Sequence, residues 1–126
     1  TYDDERHELA IQKAQNEMSD PTAIQLQFSE PDIALLVIAD PRHGANVLSR
    51  AVIAELAAAL EQLKGRTDLA GLIVTSDKPR SFIAGADIRE LQAKFTAPRE
   101  QLEEYCRTGR KLYQQLGQFP FPTVVA

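Results

Sequence analysis

The residues of this chain best suited to chemistry lie in one stretch, Ser81-Phe82-Ile83-Ala84-Gly85-Ala86-Asp87-Ile88-Arg89-Glu90. Gly85 can take backbone angles closed to other residues, so the chain can turn sharply there and present peptide N–H groups. Asp87, followed three residues later by Glu90, reads as a capping box that opens a helix. The amides of Ala86 and its neighbours then fall where a helix begins, an end with unpaired donors and about half a positive charge. Such an end can hold an anion or steady an oxyanion as it develops. The same pattern also serves as a plain strand-to-helix junction, with Asp87 a cap rather than an acid.

Other chemistries find less support. There is no Gly-x-Gly-x-x-Gly, no Walker-type Gly…Gly-Lys-Ser/Thr and no Cys/His cluster at metal spacing, which weakens dinucleotide, nucleotide-hydrolysing and zinc readings. His7 has no second candidate ligand nearby and reads as a surface residue. Cys106 falls on a helical apolar stripe and reads as a small buried hydrophobe. Tyr105 and Tyr113, on the same stripe, read as core or interface.

The focal stretch needs elements to hold it. An apolar run at 69–75 predicts a strand leading in through the polar turn 76–80. Upstream, Ile24-Gln25-Leu26-Gln27-Phe28 alternates as a half-buried strand does, and 33–38 is continuously apolar; with the turn residues 29–32 between them, they predict an antiparallel hairpin. A loop, Asp40-Pro41-Arg42-His43-Gly44-Ala45-Asn46, follows. The next helix is expected at 49–64, with Ile53, Leu56, Ala57, Leu60 and Leu63 on one face. Ser49 or Asn46 can cap its start, and Gly65 suits its stop. A helix between two strands implies a parallel crossover.

After the focal stretch a short helix should run to about 95. A longer one, about 98–116, carries the stripe Leu102, Tyr105, Cys106, Gly109, Leu112, Tyr113 and Leu116. Thr123-Val124-Val125-Ala126 looks like the start of a buried strand. That implies a fragment of a longer protein, or a chain that hides this edge by self-association. Residues 1–21 read as an extension, either a short helix or a partly ordered arm, and 22–126 as one domain portion.

At 126 residues the chain can bury a real core, and its 44% hydrophobic and 25% charged content is ordinary for globular proteins. A net charge of −4 with both signs interspersed offers no footprint for nucleic acid or an anionic membrane. No apolar run nears the roughly 20 residues that span a bilayer. One cysteine and a polar, acidic beginning fit a soluble cytoplasmic protein.

The run Ser81-Phe82-Ile83-Ala84-Gly85-Ala86-Asp87-Ile88-Arg89-Glu90-Leu91 resembles the signature of the crotonase (enoyl-CoA hydratase/isomerase) superfamily. It is especially similar to the N-terminal hydratase part of multifunctional fatty-acid oxidation proteins. The order of hairpin, Ala45-Asn46-Val47-Leu48, helix, strand, signature, helix and Phe-Pro-x-Pro-Thr-Val-Val-Ala matches too, from about 22 to 126. The resemblance implies an α/β spiral of ββα turns, here the N-terminal half of it. It also implies an acyl-CoA or enoyl-CoA substrate, no separate cofactor, and commonly a homo-oligomer.

Within that family a thioester carbonyl is held by two backbone N–H groups, and Ala86 matches the first of them. By the same resemblance the Ala84 carbonyl, next to Gly85, would lie by the adenine amino group. The loop Arg42-His43-Gly44-Ala45 would line the nucleotide and pantetheine of CoA, with Arg42, Lys78 or Arg80 as phosphate partners. Donors fixed in advance at an enolate oxygen each contribute about 2.7–4 kcal/mol to such reactions. The second donor and the paired glutamates of hydratases lie beyond the Thr-Val-Val-Ala strand, and Glu90, Glu100, Glu103 and Glu104 do not match them. The chain alone is therefore expected to be inactive, as part of a β-oxidation enzyme. The alternatives are a non-catalytic acyl-CoA-binding module and a structural α/β interaction domain.

Overall fold

The computed structural model describes residues 5–8 and 22–126. Residues 5–8 form one helical turn with His7 exposed; the rest of the expected N-terminal extension lies outside the described residues. Two strands open the fold, β1 (Ile24–Glu30) and β2 (Ile33–Ile38). They pair antiparallel, with Leu26 opposite Leu36 and an irregularity in register between Phe28 and Glu30. The strand persists to Glu30, so Pro31 and Asp32 alone make the turn that the sequence suggests for 29–32. Burial alternates along β2: Ala34, Leu36 and Ile38 point into the core while Ile33, Leu35 and Val37 are half-covered.

After the loop and a two-residue strand β3 (Val47–Leu48), helix α1 (Arg50–Leu63) crosses to β4 (Gly71–Ser76), which lies parallel to β2. The crossover is the one that the strand-helix-strand order implies. Ser49, not Asn46, caps α1, its hydroxyl accepting the Val52 N–H at 3.2 Å. Val52, Leu56, Ala59, Leu60 and Leu63 are buried on the inner face. Ala57 is exposed instead, because its small side chain sits off the axis of that stripe.

Strand β5 (Gly85–Ala86) pairs parallel with β3, and helices α2 (Ile88–Phe95) and α3 (Arg99–Gly117) follow. Strand β6 (Thr123–Val125) closes the main sheet in the order β1-β2-β4-β6, parallel to β4, with Val124 opposite Ile73. Leu36, Ile38, Leu60, Leu63 and Leu72 are fully buried where α1 covers the sheet. Each such side chain contributes about 1.5–3 kcal/mol relative to exposure. Leu112 and Phe121 join the same core, and Phe119 stacks on Phe121 with ring centres 4.9 Å apart.

Helix α3 departs from expectation. Of its apolar stripe only Leu112 is buried; Tyr113 and Cys106 are exposed. Leu116 still packs against the core, but Tyr105, Cys106, Gly109 and Tyr113 border a cavity rather than packed side chains. Val124 and Val125 on β6 are likewise more than half exposed, although the strand is paired. Among the described residues no helix is long and apolar enough to cross a membrane.

Candidate functional site

The site is built at the C-terminal ends of β2 and β4, where one buried side chain gathers three segments. Asn46 is 1% exposed. Its Nδ2 donates to the Ile38 carbonyl at 2.8 Å, to Ser76 Oγ at 2.7 Å and to the Phe82 carbonyl at 3.2 Å. Two hydrogens serve three acceptors, so the longest contact is a shared one. Its Oδ1 accepts the Asp40 N–H at 3.0 Å, and its backbone carbonyl accepts the Ala84 N–H at 2.8 Å. The ends of both strands and the start of the 84–86 stretch are thus held to one residue.

Asp40 fixes the loop on the other side of Asn46. Its buried carboxylate accepts the Arg42 N–H at 3.0 Å and Arg42 Nε at 2.8 Å, while Lys78 Nζ donates to its backbone carbonyl at 2.8 Å. Burial pushes the Asp40 carboxyl upward. The hydrogen bonds and charge of Arg42, with a smaller contribution from His43, outweigh that and hold it below its ordinary 3.8. The second oxygen, Oδ2, is buried with no hydrogen-bond partner, so the carboxylate is satisfied on one side only.

Gly85 has φ of 140°, a region that side chains with a Cβ avoid, and the turn expected from the sequence is there. Asp87 then caps α2, accepting the Arg89 N–H at 2.9 Å and the Glu90 N–H at 3.3 Å. The expected capping box does not close. Glu90 Oε2 accepts the Arg50 N–H at 2.9 Å instead, reaching across to the start of α1. An orphan amide of the neighbouring helix outcompetes the local one, and α2 is tied to α1 by that contact. The Asp87 carboxylate is occupied by amides beyond Ala86.

Ala86 is exposed and lines a cavity of about 310 Å³. Leu48 and Ile53 form one wall; Tyr105, Cys106, Gly109, Arg110, Leu112 and Tyr113 of α3 form the other. Gly109 leaves room where a larger residue on that helix face would intrude. Among the described residues no carboxylate lines this space. Burial, then the charges of Glu90 and Asp87, raise the Tyr105 phenol above its usual range, so it stays neutral at physiological pH. The space suits an apolar group whose polar end meets backbone at Ala86.

The structure brings Ala84, Gly85 and Ala86 together with the loop 42–45 around Asn46, but it does not bring that loop to the cavity. Arg42, His43 and Gly44 are exposed and Ala45 is half-buried, and none of the four lines it. Arg42 and Lys78 are engaged with Asp40. The organising role of Asn46 and the contribution of α3 to the cavity are not foreseen by the sequence reading. The helical stripe with Gly109 at its centre was the available signal for the second.

Fold and site together define an α/β chain of the crotonase type. The enoyl-CoA hydratase of Bacillus anthracis has the same fold, with TM-score 0.70 and 25% identity over 82% of this chain and 39% of that one. That of Mycobacterium smegmatis superposes with TM-score 0.73 at 21% identity, over 83% of this chain and 39% of its own. Residues 29–126 match the enoyl-CoA hydratase/isomerase family, and the chain belongs to it. It is 44% identical over 109 residues to the fatty acid oxidation complex subunit alpha of Vibrio vulnificus and 38% identical to that of Vibrio campbellii. These matches cover 86% of this chain and 15% of each relative, so the chain spans a small part of their length.

Proposed function

We propose that residues 22–126 form the acyl-CoA-binding portion of an enoyl-CoA hydratase/isomerase of fatty-acid β-oxidation, with 1–21 an extension outside it. The thioester carbonyl lies at the backbone N–H of Ala86, which serves as one oxyanion donor, and the acyl chain enters the apolar cavity behind it. The CoA moiety runs back over Gly85 and Ala84 toward Arg42, His43, Gly44 and Ala45, with Arg80 on the exposed side. The substrate brings its own CoA, so no further cofactor enters this reading. A cytoplasmic homo-oligomer is the assembly that goes with it.

One observation carries this reading: Ala86 follows a positive-φ glycine and faces a roomy apolar cavity, while the Asp87 cap draws on other amides. An amide donor costs little reorganisation when its backbone is fixed in advance, and an enolate oxygen gains most from such a donor. The cavity walls also separate binding from turnover. Among the described residues no carboxylate lines the cavity to move a proton, which supports a 126-residue chain that binds acyl-CoA without hydrating it. The same observation favours, as a second reading, a purely non-catalytic acyl-CoA-binding module.

The test is calorimetric titration of the 126-residue chain with butyryl-CoA and with free CoA, beside the Ala86→Pro variant. Proline removes the N–H. Butyryl-CoA should bind the unaltered chain, and the variant should bind it about three- to tenfold more weakly, the worth of one hydrogen bond. No heat from butyryl-CoA rejects the reading. Crotonyl-CoA hydration above a buffer blank rejects the claim that the chain is catalytically silent.

A further inference from the structure

The chain turns from strand to helix twice in the same way, and the two corners lie side by side. In each, a two-residue strand runs through one capping residue into a helix: β3, Ser49 and α1 in the first, β5, Asp87 and α2 in the second. Parallel pairing sets Val47 opposite Gly85 and Leu48 opposite Ala86, so the corners are in register. Hydrogen bonds also close the pair at both ends. Before the strands the Ala84 N–H donates to the Asn46 carbonyl at 2.8 Å, and beyond them the Arg50 N–H donates to Glu90 Oε2 at 2.9 Å. Ala86 lies between these two ties.

The second tie has no substitute in packing. Helix α2 buries no residue, and its Ile88 and Phe95 are each more than two-thirds exposed. The Asp87 cap serves amides of α2 itself, so it steadies the helix without fixing where the helix points. Arg50 is the first residue of α1, where an amide has no partner within its own helix. Ser49 accepts the Val52 N–H and leaves that of Arg50 for a group from elsewhere, which Glu90 supplies across 40 residues of sequence. The Ala86 N–H belongs to the peptide that follows Gly85, and a glycine resists rotation of that peptide less than any other residue does. A donor in that position depends on what holds its neighbours.

We infer that Glu90 is a positioning residue for the Ala86 donor: by accepting the Arg50 N–H it holds α2 against the start of α1 and so aims the Ala86 N–H at the thioester oxygen. This rests on the proposed placement of the thioester at Ala86. Without the tie α2 swings about Asp87 and the Gly85–Ala86 peptide turns with it. The donor is then re-aimed at each binding event instead of standing ready. Glu90 touches no part of the substrate and exchanges no proton in this role.

The test perturbs the tie from both ends in the 126-residue chain. Glu90→Ala removes the acceptor, and Glu90→Gln keeps an oxygen there. Arg50→Pro removes the donor at a first helical position, which proline suits, behind an extended Ser49 that tolerates it; Arg50→Ala loses the same side chain but keeps the N–H. Circular dichroism checks that each variant is folded. Butyryl-CoA with an isotope label at the thioester carbonyl then reports through its infrared band, which moves to lower frequency as a donor polarises the bond. Bound to the unaltered chain, Glu90→Gln and Arg50→Ala, the band should show the same full shift. In Glu90→Ala and Arg50→Pro most of the shift should be lost and butyryl-CoA should bind up to about tenfold more weakly, the worth of one hydrogen bond, with the affinity for free CoA unchanged. Folded Glu90→Ala or Arg50→Pro chains that keep the shift overturn the inference, as does its loss in Glu90→Gln or Arg50→Ala. Failure of both Glu90→Ala and Arg50→Pro to fold overturns it too, because the tie would then serve the fold rather than the amide. Butyryl-CoA that binds the unaltered chain without any shift of its band, or does not bind it at all, overturns the placement at Ala86 and this inference with it.

Discussion

Replacing Asn46 by alanine removes the tie between three segments, and the cost can be worked from its contacts. The side chain makes two full donated bonds, one shared contact and one accepted bond, all at a position 1% exposed. Three full bonds at a net value near 1 kcal/mol give about 3 kcal/mol. The orphaned Asp40 N–H and Ile38 carbonyl add desolvation cost, of which water entering the space returns part. The expected loss is about 3–5 kcal/mol, a large share of the 5–15 kcal/mol typical of a domain. Urea unfolding followed by far-ultraviolet circular dichroism measures it as a lowered midpoint at constant slope. Asn46→Leu should fare no better, because filling the volume leaves the same backbone groups unpaired. A loss under about 1 kcal/mol in either variant refutes the reasoning, since the network would then be ornamental to stability.

Three further outcomes follow from features of the site. The Asp40 carboxyl has a folded value below its ordinary 3.8, so its contribution to stability is complete above that value and is lost as pH falls through the lower folded one. Thermal unfolding between neutral pH and about pH 2.5 should therefore show a steeper acid decline in the unaltered chain than in Asp40→Asn. Gly85→Ala should cost about 1–3 kcal/mol in urea unfolding, because φ of 140° is closed to alanine although nothing lies within 4 Å of the new Cβ. Asp87→Ala should speed amide exchange throughout α2 while moving the global midpoint by less than about 1 kcal/mol, because α2 buries no residue and its cap is a large part of what holds it.

Much of the framework could be read from side-chain pattern. Strict alternation at 24–28 and an apolar run at 33–38 specified the hairpin, and a helix between two apolar runs specified the parallel crossover. Gly85 and Asp87 announced the turn and the cap because both act within a few residues of themselves. Patterns failed where the deciding partner was distant. Asn46 looks like any loop asparagine until Ile38, Ser76 and Phe82 converge on it. Glu90 obeys the local spacing of a capping box, yet its partner lies 40 residues away. Ala57 and Ala59 are indistinguishable by hydropathy, and only the angle at which α1 meets the sheet decides which is buried. The stripe on α3 identified the helix correctly but not that its face borders a cavity, which exposes Cys106.

The order of strands in the main sheet also dictates a sequence of events during refolding. β1 and β2 are joined by two residues and can zip within microseconds, whereas β4 cannot find β2 until α1 has closed the intervening span. β6 follows α2, α3 and the Phe119–Phe121 stack along the chain, so its pairing with β4 closes the longest span and is expected last. During that interval the outer margin of β4 stands open to strands from other chains. Yield on refolding should consequently fall with protein concentration far more steeply than native stability alone implies, a practical reason to dilute before removing denaturant.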